Sequence, residues 1–144
     1  MLALFYKVRP EKRILKAVEA GIEFWKRIQN TDGSFPEGPS KSSYAATAYS
    51  TFAVARTVNL LGDKISVDTK DVLGKACDFL SRSSREDLSN QEASAALALL
   101  ESSKVIGNCR GMAEKKLMRV LHNQSPDGFY PEYGQADIGY SSLT

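Results

Sequence analysis

The 144-residue sequence predicts an all-α fold, an array of helical hairpins, from three features. Segments with one wet face alternate with segments that are apolar or small almost all round. The pairs return every 40–50 residues or so, about the period of a helical-hairpin repeat. One turn, "QNTDGSFPEG" at 29–38, is written again near the other end as "QSPDGFYPEYG" at 124–134.

Residues 10–29 read as the first amphipathic helix. Pro10 suits a first turn, and Glu11 lies near the positive end of the helix dipole. Ile14, Leu15, Val18, Ile22, Trp25 and Ile28 recur at helical spacing, with Lys12, Arg13, Lys16, Glu19, Glu23, Lys26 and Arg27 opposite them. Asp32-Gly33, followed by Pro36 and Pro39, ends that helix in a turn. Residues 42–61 carry one charge, Arg56, and many alanines, as expected of a helix buried on most faces, with Gly62 as its C-cap.

The alternation then repeats. Residues 68–84 are amphipathic, with Val72, Leu73, Ala76, Phe79 and Leu80 on one stripe. Residues 89–107 are rich in alanine and leucine, and Ser89 with Glu92 spells a capping box at their start. Residues 108–124 form the third amphipathic helix, and 136–144 read as the first turns of another buried one. No real sheet is expected.

Composition narrows the function classes. A net charge of +2, from 19 basic and 17 acidic residues, gives no field that would gather nucleic acid or an anionic membrane. No apolar run approaches the roughly 18 residues that a membrane span needs, so no membrane insertion is expected, and the cytoplasm is the expected compartment. Cys77 and Cys109 are far apart in sequence and lack metal-ligand spacing; they read as a reduced pair of small hydrophobes. The single histidine, His122, falls near an outer-helix end, where it serves as a C-terminal cation or cap. No phosphate loop, nucleophile elbow or dinucleotide fingerprint is present, so neither cofactor nor metal is expected.

Around Gln29, Gly21 lies eight residues before, Phe24 five before, Gly33 four after and Phe35 six after. This spacing resembles the QW repeat of terpenoid cyclases and protein prenyltransferases, with Trp25 in the aliphatic place and Phe35 in place of the terminal tryptophan. Around Gln124 the second half is kept, as Gly128 and Tyr130, while Lys116 and Arg119 occupy the small and aromatic places. Ala76, Phe79 and Leu80 match the first half of a middle copy whose Gln position is Ser84. Gln29, Asp32, Gly33, Phe35, Gln124, Asp127 and Gly128 are therefore read as structural fasteners.

The resemblance implies an α/α toroid, here one domain of about two and a half hairpins (10–62, 68–107 and 108–144) forming an incomplete ring. It implies a partner that completes the ring, either a second copy in a homodimer or a missing C-terminal half. Ala45, Ala48, Phe52 and Leu97 would then line an open concave face. A weaker resemblance is to uncharacterised microbial toroid proteins of surface-polysaccharide settings.

Toroids hold ligands where turns lead into inner helices. By that logic the candidate ligand-binding residues are Glu37, Tyr44, Asn90, Gln91, Glu132, Tyr133, Asp137 and Tyr140. Carboxylates, amides and tyrosines suit a glycan, by stacking and by acid–base work. The cyclases' D-x-D-D acid motif and the prenyltransferases' zinc ligands are missing from the matching places. The expected function is thus binding or processing of a glycan or polysaccharide. The alternatives are an isoprenoid-processing toroid and a non-catalytic scaffold that binds protein.

Overall fold

A computed structural model of the chain describes residues 1–137 and 139. Among the described residues, six α-helices carry the structure: α1 (Leu2–Val8), α2 (Lys12–Arg27), α3 (Tyr44–Leu61), α4 (Lys70–Arg82), α5 (Ser89–Ile106) and α6 (Arg110–His122). The alternation read from the sequence is the packing order. Helices α3 and α5 are the inner layer and pack against each other, while α2, α4 and α6 lie outside.

The reason is visible in the side chains. Ala48, Ala55, Ala95, Ala98 and Leu99 are all fully buried, and alanines let the two inner helices approach closely. Outer helix α2 inserts Ile14, Val18, Ile22 and Trp25, and α4 inserts Val72, Leu73, Ala76, Cys77 and Leu80. Ala48 was expected on an open concave face; it is buried, because α3 meets α5 directly, whereas Leu97 is exposed.

Polar clamps fix the register of α3 on α5 at both ends. Near their starts, Tyr44 Oη donates to Glu92 Oε1 at 2.7 Å. Near their ends, Glu101 accepts from Asn59 Nδ2 (2.8 Å) and Arg56 Nη1 (3.2 Å). The two inner helices therefore run parallel. Burial pulls the Glu101 carboxyl upward, but hydrogen bonds from Lys104 and Asn59 outweigh it and hold the group below its ordinary range.

Two features depart from the sequence reading. Helix α1 was not foreseen; it is seven residues long with no side-chain cap, and it is held by Ala3 and Tyr6 packing beside Val18, Ile22 and Leu61. The expectation of no sheet also fails at small scale. The two similar turns each open into a short antiparallel hairpin: β1 (Phe35–Glu37) with β2 (Ser40–Ser43), and β3 (Pro131–Glu132) with β4 (Gln135–Ala136). The segment read as a further helix from 136 begins in β4 instead, and the remainder, Gly139 excepted, lies outside the described residues from 138 on.

The turns themselves match bond for bond. Asn30 N donates to Ser34 O and Gly33 N to Asn30 O; Ser125 N donates to Phe129 O and Gly128 N to Ser125 O. Gly33 and Gly128 sit at φ +88° and +90°, a left-handed backbone suited to glycine. Each Gln closes its own turn, Gln29 Nε2 on Gly33 O at 3.2 Å and Gln124 Nε2 on Gly128 O at 2.9 Å. Hydrogen bonds from the Ser34 side chain and backbone hold the Asp32 carboxyl below its ordinary range, which fixes the first turn as an Asx turn. Phe35, 2% exposed, stacks on Trp25 with ring centroids 4.5 Å apart, sealing α2 onto the hairpin.

Candidate functional site

The starts of α3 and α5 face the same way, and the turns before them converge there. A cleft of about 340 Å³ opens between β2, the first turn of α3, the 85–91 connection and Tyr133. Glu37, Ser40, Ser42, Ser43, Tyr44, Arg85, Asp87, Gln91 and Tyr133 are among its lining residues. Of the eight residues proposed from sequence, four (Glu37, Tyr44, Gln91 and Tyr133) line this one cleft. They come from three distant stretches of the chain.

Asn90 and Glu132 form the layer beside it. Both are buried, at 4% and 2% exposure. Glu132 Oε1 accepts from the backbone N of Asn90 at 2.7 Å, so a carboxylate from the last hairpin caps the first turn of α5. Ser89 Oγ donates to Pro131 O, and Tyr133 N donates to Asp87 O, fastening the same hairpin to α5. Among the described residues, no donor reaches the buried acceptors Glu132 Oε2 and Asn90 Oδ1. Burial raises the Glu132 carboxyl, opposed by the Asn90 hydrogen bond and aided by the negative charges of Asp137 and Asp87. Asp137 is thus near Glu132 but exposed at the end of the hairpin. Tyr140 lies outside the described residues.

Below the cleft lies a buried charge network that sequence reasoning missed. Glu92 was read as half of a capping box with Ser89. Instead α5 starts without a side-chain cap from its own N-cap residue, Leu88, and Glu92 points inward at 2% exposure. Its carboxylate accepts from Tyr44 Oη, from the backbone N of Arg85 and from Lys116 Nζ at 3.0 Å. Lys116 is 1% exposed, and its ammonium also donates to Tyr44 Oη (3.0 Å) and Ser83 O (2.8 Å).

All three ammonium protons have acceptors, which is what allows this pair to be buried. Burial lowers the Lys116 pKa against the pull of Glu92, and burial with the hydrogen bond to Glu92 raises that of Tyr44. The network joins α3, α5, α6 and the 83–85 connection, and so fixes the floor on which Tyr44 presents itself. One signal could have found it. Lys116 stands where the other two copies of the repeat have Gly21 and Ala76, and a lysine in a small-residue place needs a buried partner.

The arrangement offers hydroxyls, an amide, carboxylates and one guanidinium around a concave floor. Tyr133, 65% exposed with a left-handed backbone at φ +53°, stands at the rim. Such a set can bracket a polyhydroxylated ligand with donors and acceptors while an aromatic ring covers its apolar face. Among the described residues, no group of three His, Cys, Asp or Glu side chains gathers as a metal ion would need, and no helix is long and apolar enough to cross a membrane. Comparison with protein-family models, curated proteins and solved structures finds no match, and the functional reading rests on this geometry.

Proposed function

We propose that the chain is a partial α/α-toroid domain whose cleft between the starts of α3 and α5 binds a glycan or polysaccharide. The observation that carries this reading is the meeting of Glu37, Tyr44, Gln91 and Tyr133, from three distant stretches of the chain, in one polar cleft. Ser40, Ser42 and Ser43 add hydroxyls, and Arg85 and Asp87 add one charge of each sign. An isoprenoid would want a dry aromatic wall, which this lining does not supply. Glu132, buried beside the cleft with its carboxyl raised above the ordinary range, supports the start of α5 and the last hairpin, and the cleft residues themselves make the contacts of binding. The reading is tested on a glycan array with the purified chain, followed by calorimetric titration of the best oligosaccharide. Saturable binding that is lost in Gln91→Ala and Tyr133→Ala supports it. Absence of binding to any neutral or acidic glycan overturns it.

A second reading, a protein-interaction scaffold, draws on a different surface. Leu117, Met118 and Leu121 of α6 are each about half exposed, at 47%, 55% and 49%. The equivalents of Leu117 in the other copies, Ile22 and Cys77, are buried beneath neighbouring elements. A second copy or a partner helix laid on α6 would cover it. Light scattering at micromolar concentration distinguishes a 15.8 kDa monomer from a homodimer. A dimer abolished by Leu117→Asp would favour the scaffold.

A further inference from the structure

We propose that Cys77 and Cys109 are a redox couple, which a small-molecule disulfide closes into an intrachain bond between α4 and the start of α6. The two residues are 32 positions apart in sequence, and the fold removes that separation. Cys77 is fully buried on α4, within the cluster formed by Leu80, Ala98, Leu99 and Ala113. Cys109 packs against the same cluster and is half-buried, so one thiol meets solvent and the other does not.

The α5–α6 connection delivers Cys109 to α4. Gly107 ends α5 at φ +78°, and Cys109 itself adopts φ +67° as the N-cap of α6, an unusual conformation for a residue with a side chain. The chain therefore turns sharply twice within three residues and seats Ala113, one turn into α6, in the Cys77 cluster. Asp78, next to Cys77, acts electrostatically on both thiols, in keeping with their shared cluster.

The two thiols act on each other electrostatically, and Cys109 Sγ donates to the neighbouring Asn108 Oδ1 at 2.7 Å. The interaction between the thiols lowers the pKa of Cys109, against its partial burial, and raises that of Cys77, with burial adding to the rise. The division of labour follows. Cys109 is the accessible, more acidic nucleophile and Cys77 the buried resolving thiol.

With glutathione disulfide as oxidant, Cys109 thiolate attacks one sulfur, the glutathione S–S bond breaks, and one glutathione thiolate leaves. Cys77 then gives its proton to a released thiolate and attacks Cys109 Sγ, expelling the second glutathione. Two protein thiols are oxidised to one disulfide and one external disulfide is reduced to two thiols, a two-electron exchange. The product would clamp α6, the helix that carries Lys116, to α4.

The test uses the whole chain, incubated with glutathione disulfide under native conditions and read by intact mass and thiol titration. The expected product has lost the mass of two hydrogens and both titratable thiols, and a reductant restores it. Cys77→Ser should stop at a mixed disulfide with glutathione on Cys109. Cys109→Ser should react more than about tenfold slower, since only the buried thiol remains. A wild-type chain that keeps both thiols, or that accumulates the Cys109–glutathione adduct without closing, overturns the proposal.

Discussion

The turn at 29–38 and the turn at 124–134 are copies in backbone and opposites in surroundings. Both place a glycine near φ +90°, both are closed by a glutamine side chain, and both open into a two-stranded hairpin. The first copy is packed from outside. An added Cβ on Gly33 would lie 2.1 Å from the carbonyl oxygen of Lys75, and Gln29 Nε2 reaches beyond its turn to Val72 O at 2.9 Å. The second stands clear on that side. Nothing lies within 4 Å of the same point on Gly128, and Gln124 is exposed. A repeat motif therefore sets local geometry, while its energetic weight depends on whether a neighbouring helix packs on it.

The helices before the two turns differ in the same spirit. Gly21 lies on the exposed face of α2 with open space around it, whereas Lys116 at the matching place in α6 puts a charge in the interior. Making the third copy resemble the others should be the most damaging change. Lys116→Ala strands Glu92 without its cation, and denaturant melts should show a loss of about 3–5 kcal/mol. A loss below about 1 kcal/mol would mean that Tyr44 and the Arg85 amide suffice for Glu92, and that the network is not what joins α6 to the inner layer.

The glycines separate next. Gly33→Val meets both the left-handed backbone and the Lys75 carbonyl, so it should cost more than about 3 kcal/mol. Gly128→Val meets the backbone strain alone, about 1–3 kcal/mol. Equal midpoints in thermal melts would erase the distinction between packed and open copies. Glutamine truncation repeats the comparison at lower amplitude. Gln29→Ala loses two part-buried bonds, about 1–3 kcal/mol, and Gln124→Ala one exposed bond, at most about 1 kcal/mol.

The smallest effect is the one that depends on pH. Burial raises the folded-state pKa of Glu132 above its unfolded value, so the fold binds a proton there more tightly than the unfolded chain does. That group's contribution is favourable at low pH and declines as pH rises through the unfolded value of 4.5 toward the raised folded value. Glu132→Gln keeps an acceptor for Asn90 N and removes the charge. It should be the more stable protein near neutrality, with the advantage vanishing below pH 4.5. An advantage that persists in acid would show that the carboxylate is not the source.

Much of this was legible in the sequence because it is periodic. The helix order, the outer and inner roles, and the Asp-Gly turns closed by glutamine all follow from spacing, and Phe35 as a seam-filler follows from its place in the repeat. What was illegible depends on partners far away along the chain. Ser89 and Glu92 have capping-box spacing, and only the arrival of Lys116 and Tyr44 explains why Glu92 turns inward. Helix α1 has too few residues to show a period. The hairpin strands are two to four residues long, and their pairing comes from turn geometry rather than from alternation. Of the site, the residues that precede the inner helices were found, while Arg85, Asp87 and the serines were not, since nothing local marks them as neighbours of Glu37.

The central claim is that ligand meets the polar cleft and not the apolar face of α6. Backbone amide shifts during titration with the best-binding oligosaccharide test it most directly, because they report on both surfaces in one experiment. The account predicts perturbations concentrated in residues 37–45, 85–91 and 133, with the outer face of α6 around Leu117 and Leu121 unmoved. Shifts gathered on α6, with the cleft residues unchanged at saturation, would contradict it.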